Sequence, residues 1–202
     1  MHPQLLVITL GLAEGEQAGS EAGTEPPPLH AHDSEPLAIT RSFVFLDITG
    51  FTAYCDRHGE RAAVDLLTRF RDLTRAVAIR RGVRVSKWLG DGVMLVALEP
   101  APLAATAAEI VARCRAIGID THAGLASGPV LLFEGDDYIG RPANLAARLC
   151  DVAGDGEVLV HGDFEVPDWL ALSDPATIEV PGIGEVTGVR RLTMTIELAA
   201  PM

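Results

Sequence analysis

The sequence predicts an α+β fold, in which helices pack on one face of a mainly antiparallel, ferredoxin-like sheet. Two observations predict this class. Short apolar segments typical of strands are interleaved with longer segments whose apolar residues recur at helical spacing. Their order is strand, helix, two strands, helix, strand, helix and then further strands. With 48% hydrophobic and 22% charged residues, the composition is that of a globular protein.

The first strand is predicted at Ser42–Asp47, an apolar segment that ends in a carboxylate. Thr49 or Thr52 can cap the helix that follows, and Gly82 is expected to end it. Helical periodicity is clear between residues 60 and 81. Residues 83–98 then read as a hairpin whose turn is Gly90-Asp91-Gly92.

The remaining elements follow from the same signals. A second amphipathic helix is predicted from Pro102 to Ile117, and Pro142 suits the first turn of a third helix that ends near Val152. Strands are predicted at residues 120–130, 157–160, 177–180 and 189–198.

Residues 1–40 differ in composition from the rest of the chain. They hold six acidic residues and no Lys or Arg, and Gly, Pro, Ala and Glu are frequent among them. Such a segment buries too little apolar surface to offset chain entropy, so we predict a disordered acidic tail and one folded domain at 41–202.

The charge balance excludes some classes of function. The net charge is -12, which argues against a nucleic-acid or anionic-membrane binder, because both need clustered positive charge. No apolar run approaches the roughly 18 residues of a membrane span, so no integral membrane segment is expected. An odd count of three cysteines, with no basic segment ahead of an apolar one, favours the cytoplasm.

Two carboxylates stand at strand ends. Asp47 closes the first strand, and Asp91 lies in the tip of the hairpin. If these strands are neighbours, the carboxylates converge and require a proton or a cation between them, and Mg²⁺ is the divalent ion that best suits such a pair. The alternative is a helix cap for Asp47 and a plain turn residue for Asp91.

Two further segments offer groups for a phosphate and a sugar. The turn Ile48-Thr49-Gly50-Phe51-Thr52 leads from a strand into a helix, where backbone N–H groups favour phosphate oxygens. Asn144 and Arg148 are four residues apart and share a helix face. Together these groups are typical of a nucleotidyl-transfer site. The alternatives are a plain connecting turn at residues 48–52 and an exposed helix surface at Asn144 and Arg148.

Three segments resemble motifs of the class III nucleotidyl cyclases, the adenylate and guanylate cyclase catalytic domains. Residues 45–52 (FLDITGFT) resemble the first metal motif, and residues 87–94 (KWLGDGVM) resemble the hairpin with the second metal aspartate. Residues 137–148 (DYIGRPANLAAR) resemble the segment that selects the base and stabilises the transition state. The likeness spans about residues 42–195 and implies the class III cyclase fold.

The resemblance also implies a role for each group. Asp47, Asp91 and the Ile48 carbonyl would bind two divalent cations, Mg²⁺ or Mn²⁺, and the turn at 48–52 would bind the β- and γ-phosphates. Lys87, the only lysine of the chain, and Asp137 would recognise adenine. Asn144 would orient the ribose, and Arg148 would stabilise charge on the α-phosphate. The family works as a homodimer whose two sites each use residues from both chains.

The resemblance therefore predicts an adenylate cyclase that makes cyclic AMP and pyrophosphate from ATP for intracellular signalling. Ile139 and Arg141-Pro142-Ala143 depart from the residues usual in the family, and so does Pro181-Gly182, where Lys-Gly is common. Two alternatives remain: a catalytically silent nucleotide-binding or regulatory module of the same fold, and a guanylate cyclase.

Overall fold

The computed structural model describes residues 37–133 and 137–195, which form nine strands and three helices. In chain order these are β1 (Leu37–Ile48), α1 (Phe51–Arg80), β2 (Arg84–Leu89), β3 (Gly92–Ala97), α2 (Pro100–Ala116), β4 (Thr121–Phe133), β5 (Asp137–Ile139), α3 (Arg141–Val152), β6 (Val158–His161), β7 (Leu170–Leu172), β8 (Ala176–Val180) and β9 (Gly184–Met194). The predicted α+β class is confirmed. Because β1 begins at Leu37, four residues assigned to the tail belong to the first strand. The rest of the predicted tail, residues 1–36, lies outside the described residues.

The strands form one sheet in the order β2-β3-β1-β4-β6-β9-β7, with β5 added to β4 and β8 added to β9. The pairing of β4 with β6 is parallel, and the other described pairings are antiparallel. On β1, Leu46 is opposite Val93 of β3, and Asp47 is opposite His122 of β4. The end of β1 therefore lies beside the turn that joins β2 to β3.

Helices cover both faces of the sheet, which corrects the prediction of helices on one face. Val44 and Leu46 pack with α1 and α2 in one apolar cluster, whereas Phe43 packs with α3 in another. The physical reason lies in β1 itself. Phe43, Val44, Phe45 and Leu46 are all apolar. Because successive residues of a strand point to opposite faces, this strand is apolar on both faces, as expected for a strand buried on both sides.

The start of α1 also differs from the prediction. The helix begins at Phe51, and Gly59 interrupts it with φ 81° and ψ 168°, so helical periodicity is clear only beyond that kink. Neither Thr49 nor Thr52 caps it. Gly50 occupies the cap position with φ 67°, a left-handed conformation that favours glycine, and no side chain caps the helix.

The other elements largely follow the prediction. The hairpin at β2 and β3 is confirmed, and so is the third helix, which begins at Arg141 with Pro142 in its first turn. The short strands β5 and β7 were not predicted. The last predicted strand, 189–198, begins earlier, at Gly184, and its residues beyond 195 lie outside the described ranges. No helix in residues 37–133 or 137–195 has the length and apolar character of a membrane span.

Candidate active site

Asp47 and Asp91 meet where β1 ends and the β2–β3 hairpin turns. The antiparallel pairing of β1 with β3 brings the turn against Asp47. Gly92 lies so close that a Cβ atom there would be 3.0 Å from the Asp47 Oδ1 atom. The convergence expected from the sequence is therefore present, and the missing side chain at Gly92 leaves room for the Asp47 carboxylate.

The electrostatics of this pair suit a cation. Burial, followed by the negative charge of Asp91, raises the pKa of Asp47 to about 6, and Asp151 adds to the effect. A hydrogen bond with the Ile48 backbone offsets part of this rise in the pKa of Asp47. A hard divalent cation between the carboxylates would remove this repulsion, so the donor set fits Mg²⁺ or Mn²⁺.

The protein side chains alone do not complete a metal centre. Within the described ranges, no group of three or more His, Cys, Asp or Glu side chains is placed to hold an ion. Asp47 and Asp91 would therefore need further oxygen ligands, such as the Ile48 carbonyl, water or the oxygens of a bound phosphate chain. Mg²⁺ commonly shares its ligands with substrate phosphates in this way.

The turn after β1 offers fewer free groups than the sequence suggested. The Thr49 backbone N–H donates to the Asp120 carbonyl at 2.9 Å, and its hydroxyl is 2.9 Å from His122 Nδ1. Phe51 is half-buried and packs against the apolar core, and Thr52 is exposed. The first turn of α1, after Gly50, retains N–H groups without helical partners and is the part of this segment able to bind an anion.

Lys87 and Asp137 are brought together although 50 residues separate them. The Lys87 ammonium donates to the Asp137 carboxylate, and the two side chains are 38% and 48% exposed. Lys87 lies on β2 opposite Met94, which belongs to the apolar cluster on the α3 side of the sheet. A donor and an acceptor are thus held side by side at a surface open to a ligand.

Asn144 and Arg148 lie on the solvent side of α3, where Asn144 is exposed and the Arg148 side chain is 39% exposed. Arg148 Nη1 donates to Asp151 Oδ2 at 2.8 Å, one turn further along the helix. Sequence reasoning missed Asp151. Its spacing of three residues from Arg148 was the available signal, because residues at (i, i+3) on a helix can pair.

His122 is a second residue that the sequence did not single out. It is opposite Asp47 on the neighbouring strand, and burial lowers the pKa of its imidazole despite Asp155, Asp151 and Asp91 nearby. The ring is therefore neutral at neutral pH and can share a hydrogen bond with Thr49. It fixes the turn that follows Asp47.

No family model matches the chain, but individual relatives do. An uncharacterised protein of Mycobacterium tuberculosis is 37% identical over 147 residues, which cover 70% of this chain and 39% of the relative. A pH-sensitive adenylate cyclase of M. tuberculosis is 32% identical over 152 residues, 73% of this chain and 35% of the relative. The chain thus spans less than two fifths of the length of these relatives.

Solved structures of cyclase domains share the fold. The adenylyl cyclase CyaB from P. aeruginosa superimposes with a TM-score of 0.65 at 23% identity, covering 82% of this chain and 100% of that one. The guanylate cyclase domain of RhGC from Catenaria anguillulae, in complex with GTP, gives a TM-score of 0.63 at 23% identity, covering 77% and 97%. The nine-stranded mixed sheet with three helices is the class III cyclase fold.

Proposed function

We propose that this chain is a class III nucleotidyl cyclase that converts ATP to 3′,5′-cyclic AMP and pyrophosphate. The observation that carries the proposal is the meeting of Asp47 and Asp91 at one end of a sheet with the cyclase fold. Relatives named adenylate cyclase support it. A role in intracellular cyclic-nucleotide signalling would follow from the product.

Asp47, Asp91 and the main-chain carbonyl of Ile48 would hold two divalent cations, Mg²⁺ or Mn²⁺. When bound, such cations neutralise charge on the phosphates and on the attacking oxygen. The free N–H groups in the first turn of α1, including those of Phe51 and Thr52, would bind the β- and γ-phosphates. Thr49 contributes to the site through its bond with His122, which holds the turn in place.

Lys87 and Asp137 would select the base. The Lys87 ammonium donates to adenine N1, and the Asp137 carboxylate accepts from the 6-amino group. Guanine presents an N–H to Lys87 and a carbonyl oxygen to Asp137. The Lys87 ammonium would then face another hydrogen-bond donor, and the Asp137 carboxylate would face another acceptor. The ion pair between the two residues supports this role, because both groups already point to one place.

Asn144 and Arg148 would act on the ribose and the α-phosphate. Asn144 orients the ribose so that its 3′-oxygen attacks the α-phosphorus in line. As the bond from the 3′-oxygen to the α-phosphorus forms, the hydroxyl proton passes to water, the bond from the α-phosphorus to the bridging oxygen breaks, and pyrophosphate leaves. Arg148 donates hydrogen bonds to the α-phosphate as negative charge develops there. Its present partner, Asp151, would have to share the guanidinium with the substrate.

A homodimer with shared sites is part of the proposal. Apolar side chains are exposed where β4 meets β5: Leu131 is 39%, Phe133 47% and Ile139 55% exposed. A second copy of the chain would bury this surface. In a symmetric pair, Asp47 and Asp91 of one chain can face Lys87, Asp137, Asn144 and Arg148 of the other, which gives two equivalent sites.

The purified chain should therefore form cyclic AMP from ATP only when Mg²⁺ or Mn²⁺ is present. Mass spectrometry of the nucleotide products measures this and separates cyclic AMP from cyclic GMP when GTP is supplied instead. Asp47→Ala should lower turnover by several orders of magnitude, because a ligand that stabilises transition-state charge is lost. Asp65→Ala, which removes an exposed carboxylate from α1, is the matched control. Near-normal activity of Asp47→Ala would refute the two-metal assignment.

A further inference from the structure

The strand that carries Lys87 and leads to Asp91 is weakly held by its backbone. β2 stands at one end of the strand order and pairs only with β3 within the described sheet. Its register shifts between Val85 and Lys87. Such an irregularity interrupts the ladder, and an edge strand has no second neighbour to restore the alignment. The pairing of β3 with β1 positions the β3 side of the turn, which leaves the β2 side to be held by another contact.

Helix α1 supplies that contact through Trp88. The guanidinium carbons of Arg71 and Arg75 each lie 5.1 Å from the centre of the Trp88 ring. Phe70 packs edge-on against the same ring, at a centroid distance of 6.2 Å and an interplanar angle of 81°. The tryptophan is thus held by an aromatic side chain and by cation–π contacts with two arginines.

Arg71 also reaches the turn itself. Its Nη2 atom donates to the Gly90 carbonyl oxygen at 2.9 Å. That oxygen belongs to the planar peptide group that contains the Asp91 nitrogen, so the bond fixes the plane from which Asp91 extends. Arg71 Nε is buried without a hydrogen-bond partner in the described structure. An apolar side chain could pack on Trp88 without that cost, but it could not hold the carbonyl.

We propose that Arg71 is a positioning residue, which holds the β2–β3 hairpin through Trp88 and the Gly90 carbonyl so that Asp91 stays against Asp47. The role of Asp91 as a metal ligand rests on the proposed function. The same contact sets Lys87, because adjacent strand residues point to opposite faces. Trp88 is anchored on the α1 face, so Lys87 is directed to the α3 face, where it meets Asp137.

The test replaces Arg71 with methionine, which keeps much of the apolar stem and removes the guanidinium. Arg69→Met is a matched control, because Arg69 lies on the same helix and donates to the Ile117 carbonyl, also at 2.9 Å, instead of to the hairpin. Three quantities are compared in the full chain: amide hydrogen exchange, the thermal midpoint of unfolding, and the Mn²⁺ concentration that half-saturates cyclisation at saturating ATP.

Arg71→Met should speed exchange in peptides covering residues 88–93 and raise the half-saturating Mn²⁺ concentration about tenfold, since a charge-assisted hydrogen bond is lost. Arg69→Met should alter exchange near Ile117 and leave the Mn²⁺ requirement unchanged, even if both variants unfold at the same temperature. Arg71→Lys keeps a cation and should recover part of the metal affinity. If Arg71→Met does not fold, Trp88→Phe should show a smaller shift in the same direction.

Unchanged exchange at the hairpin in Arg71→Met would overturn the inference. Faster exchange with an unchanged Mn²⁺ requirement would also overturn it, because Arg71 would then hold the hairpin without affecting metal binding. The exchange measurement needs no activity. If the parent forms no cyclic nucleotide from ATP or GTP, the proposed function fails, while hairpin exchange still decides whether Arg71 holds the turn.

Discussion

At Asp47, burial and the charges of Asp91 and Asp151 act in the same direction on one carboxyl group, and its pKa rises to about 6. The folded protein therefore binds a proton that the unfolded chain releases between about pH 4 and pH 6. The free energy of unfolding attributable to Asp47 should fall as pH rises through this window and stay low above it. Solvent screening at this partly exposed group limits the effect to about 1–2 kcal/mol.

Denaturant unfolding in EDTA, measured from pH 4 to pH 7, tests this expectation against Asp47→Asn. The amide cannot ionise, so the variant should gain stability relative to the parent as pH rises. Parallel pH profiles for the two proteins would show that Asp47 titrates normally. Replacing the EDTA with Mn²⁺ above pH 6 should stabilise the parent more than the variant, because a bound ligand favours the folded state.

The Lys87–Asp137 pair predicts base selection. The double substitution Lys87→Glu with Asp137→Cys removes the donor and acceptor that match adenine, so ATP turnover should fall and the ratio of GTP to ATP turnover should rise. Initial rates with each nucleotide at equal Mn²⁺ give that ratio. If the double variant keeps the parent's preference, another part of the site reads the base.

At the scale of elements, the backbone of α3 packs directly against β4. A Cβ atom on Gly124 would lie 2.3 Å from both the Ala146 carbonyl oxygen and the Cys150 nitrogen. Gly124→Ala must push α3 outward and displace Asn144 and Arg148, and we expect a loss of about 1–3 kcal/mol in the free energy of unfolding. Gly154→Ala is the control, since the nearest atom to its Cβ would be 3.7 Å away.

Urea unfolding and cyclase assays on both variants would check this prediction. Gly124→Ala should lose activity beyond its loss of stability, because the helix that carries Arg148 has moved. A Gly124→Ala variant with the stability and turnover of the Gly154→Ala control would contradict the tight packing.

The elements predicted from the sequence are those with a long periodic signal. The hairpin and α3 are confirmed, because alternation and a proline in the first helical turn mark them clearly. The strands β5 and β7 span three residues each, too few for a period to show. The two-sided packing of β1 was visible in Phe43–Leu46, but an apolar run alone does not say which helix covers which face.

Some features of the candidate site could likewise be predicted from the sequence, and others could not. The sequence places Asp47 and Asp91 each beside the end of a strand, but their convergence depends on β1 and β3 being neighbours, and that pairing across α1 comes from the structure. The contact of Lys87 with Asp137 spans 50 residues and came from the family resemblance instead. The contacts of Thr49 with His122 and of Arg71 with Gly90 depend on how distant elements pack, so no local pattern marks them.

At the scale of the whole molecule, the proposed homodimer would divide the groups of the site into two sets. Asp47 and Asp91 lie where β1 ends, and Arg148 lies on α3, where it is paired with Asp151 of its own chain. A shared site in a homodimer would use the first set from one copy and the second from the other. Each chain then contributes to both sites, and a defect in one set can be complemented by the other copy.

Co-expression of Asp47→Ala with Arg148→Ala tests this central claim most directly. Each variant alone should be nearly inactive. In a mixed dimer one site collects both defects and the other collects none, so equal expression with random pairing should restore roughly a quarter of the parent's cyclic AMP formation. If mixed dimers are shown to form, by differential tagging of the two chains, and activity stays at the level of either variant alone, the shared-site cyclase proposed here is contradicted.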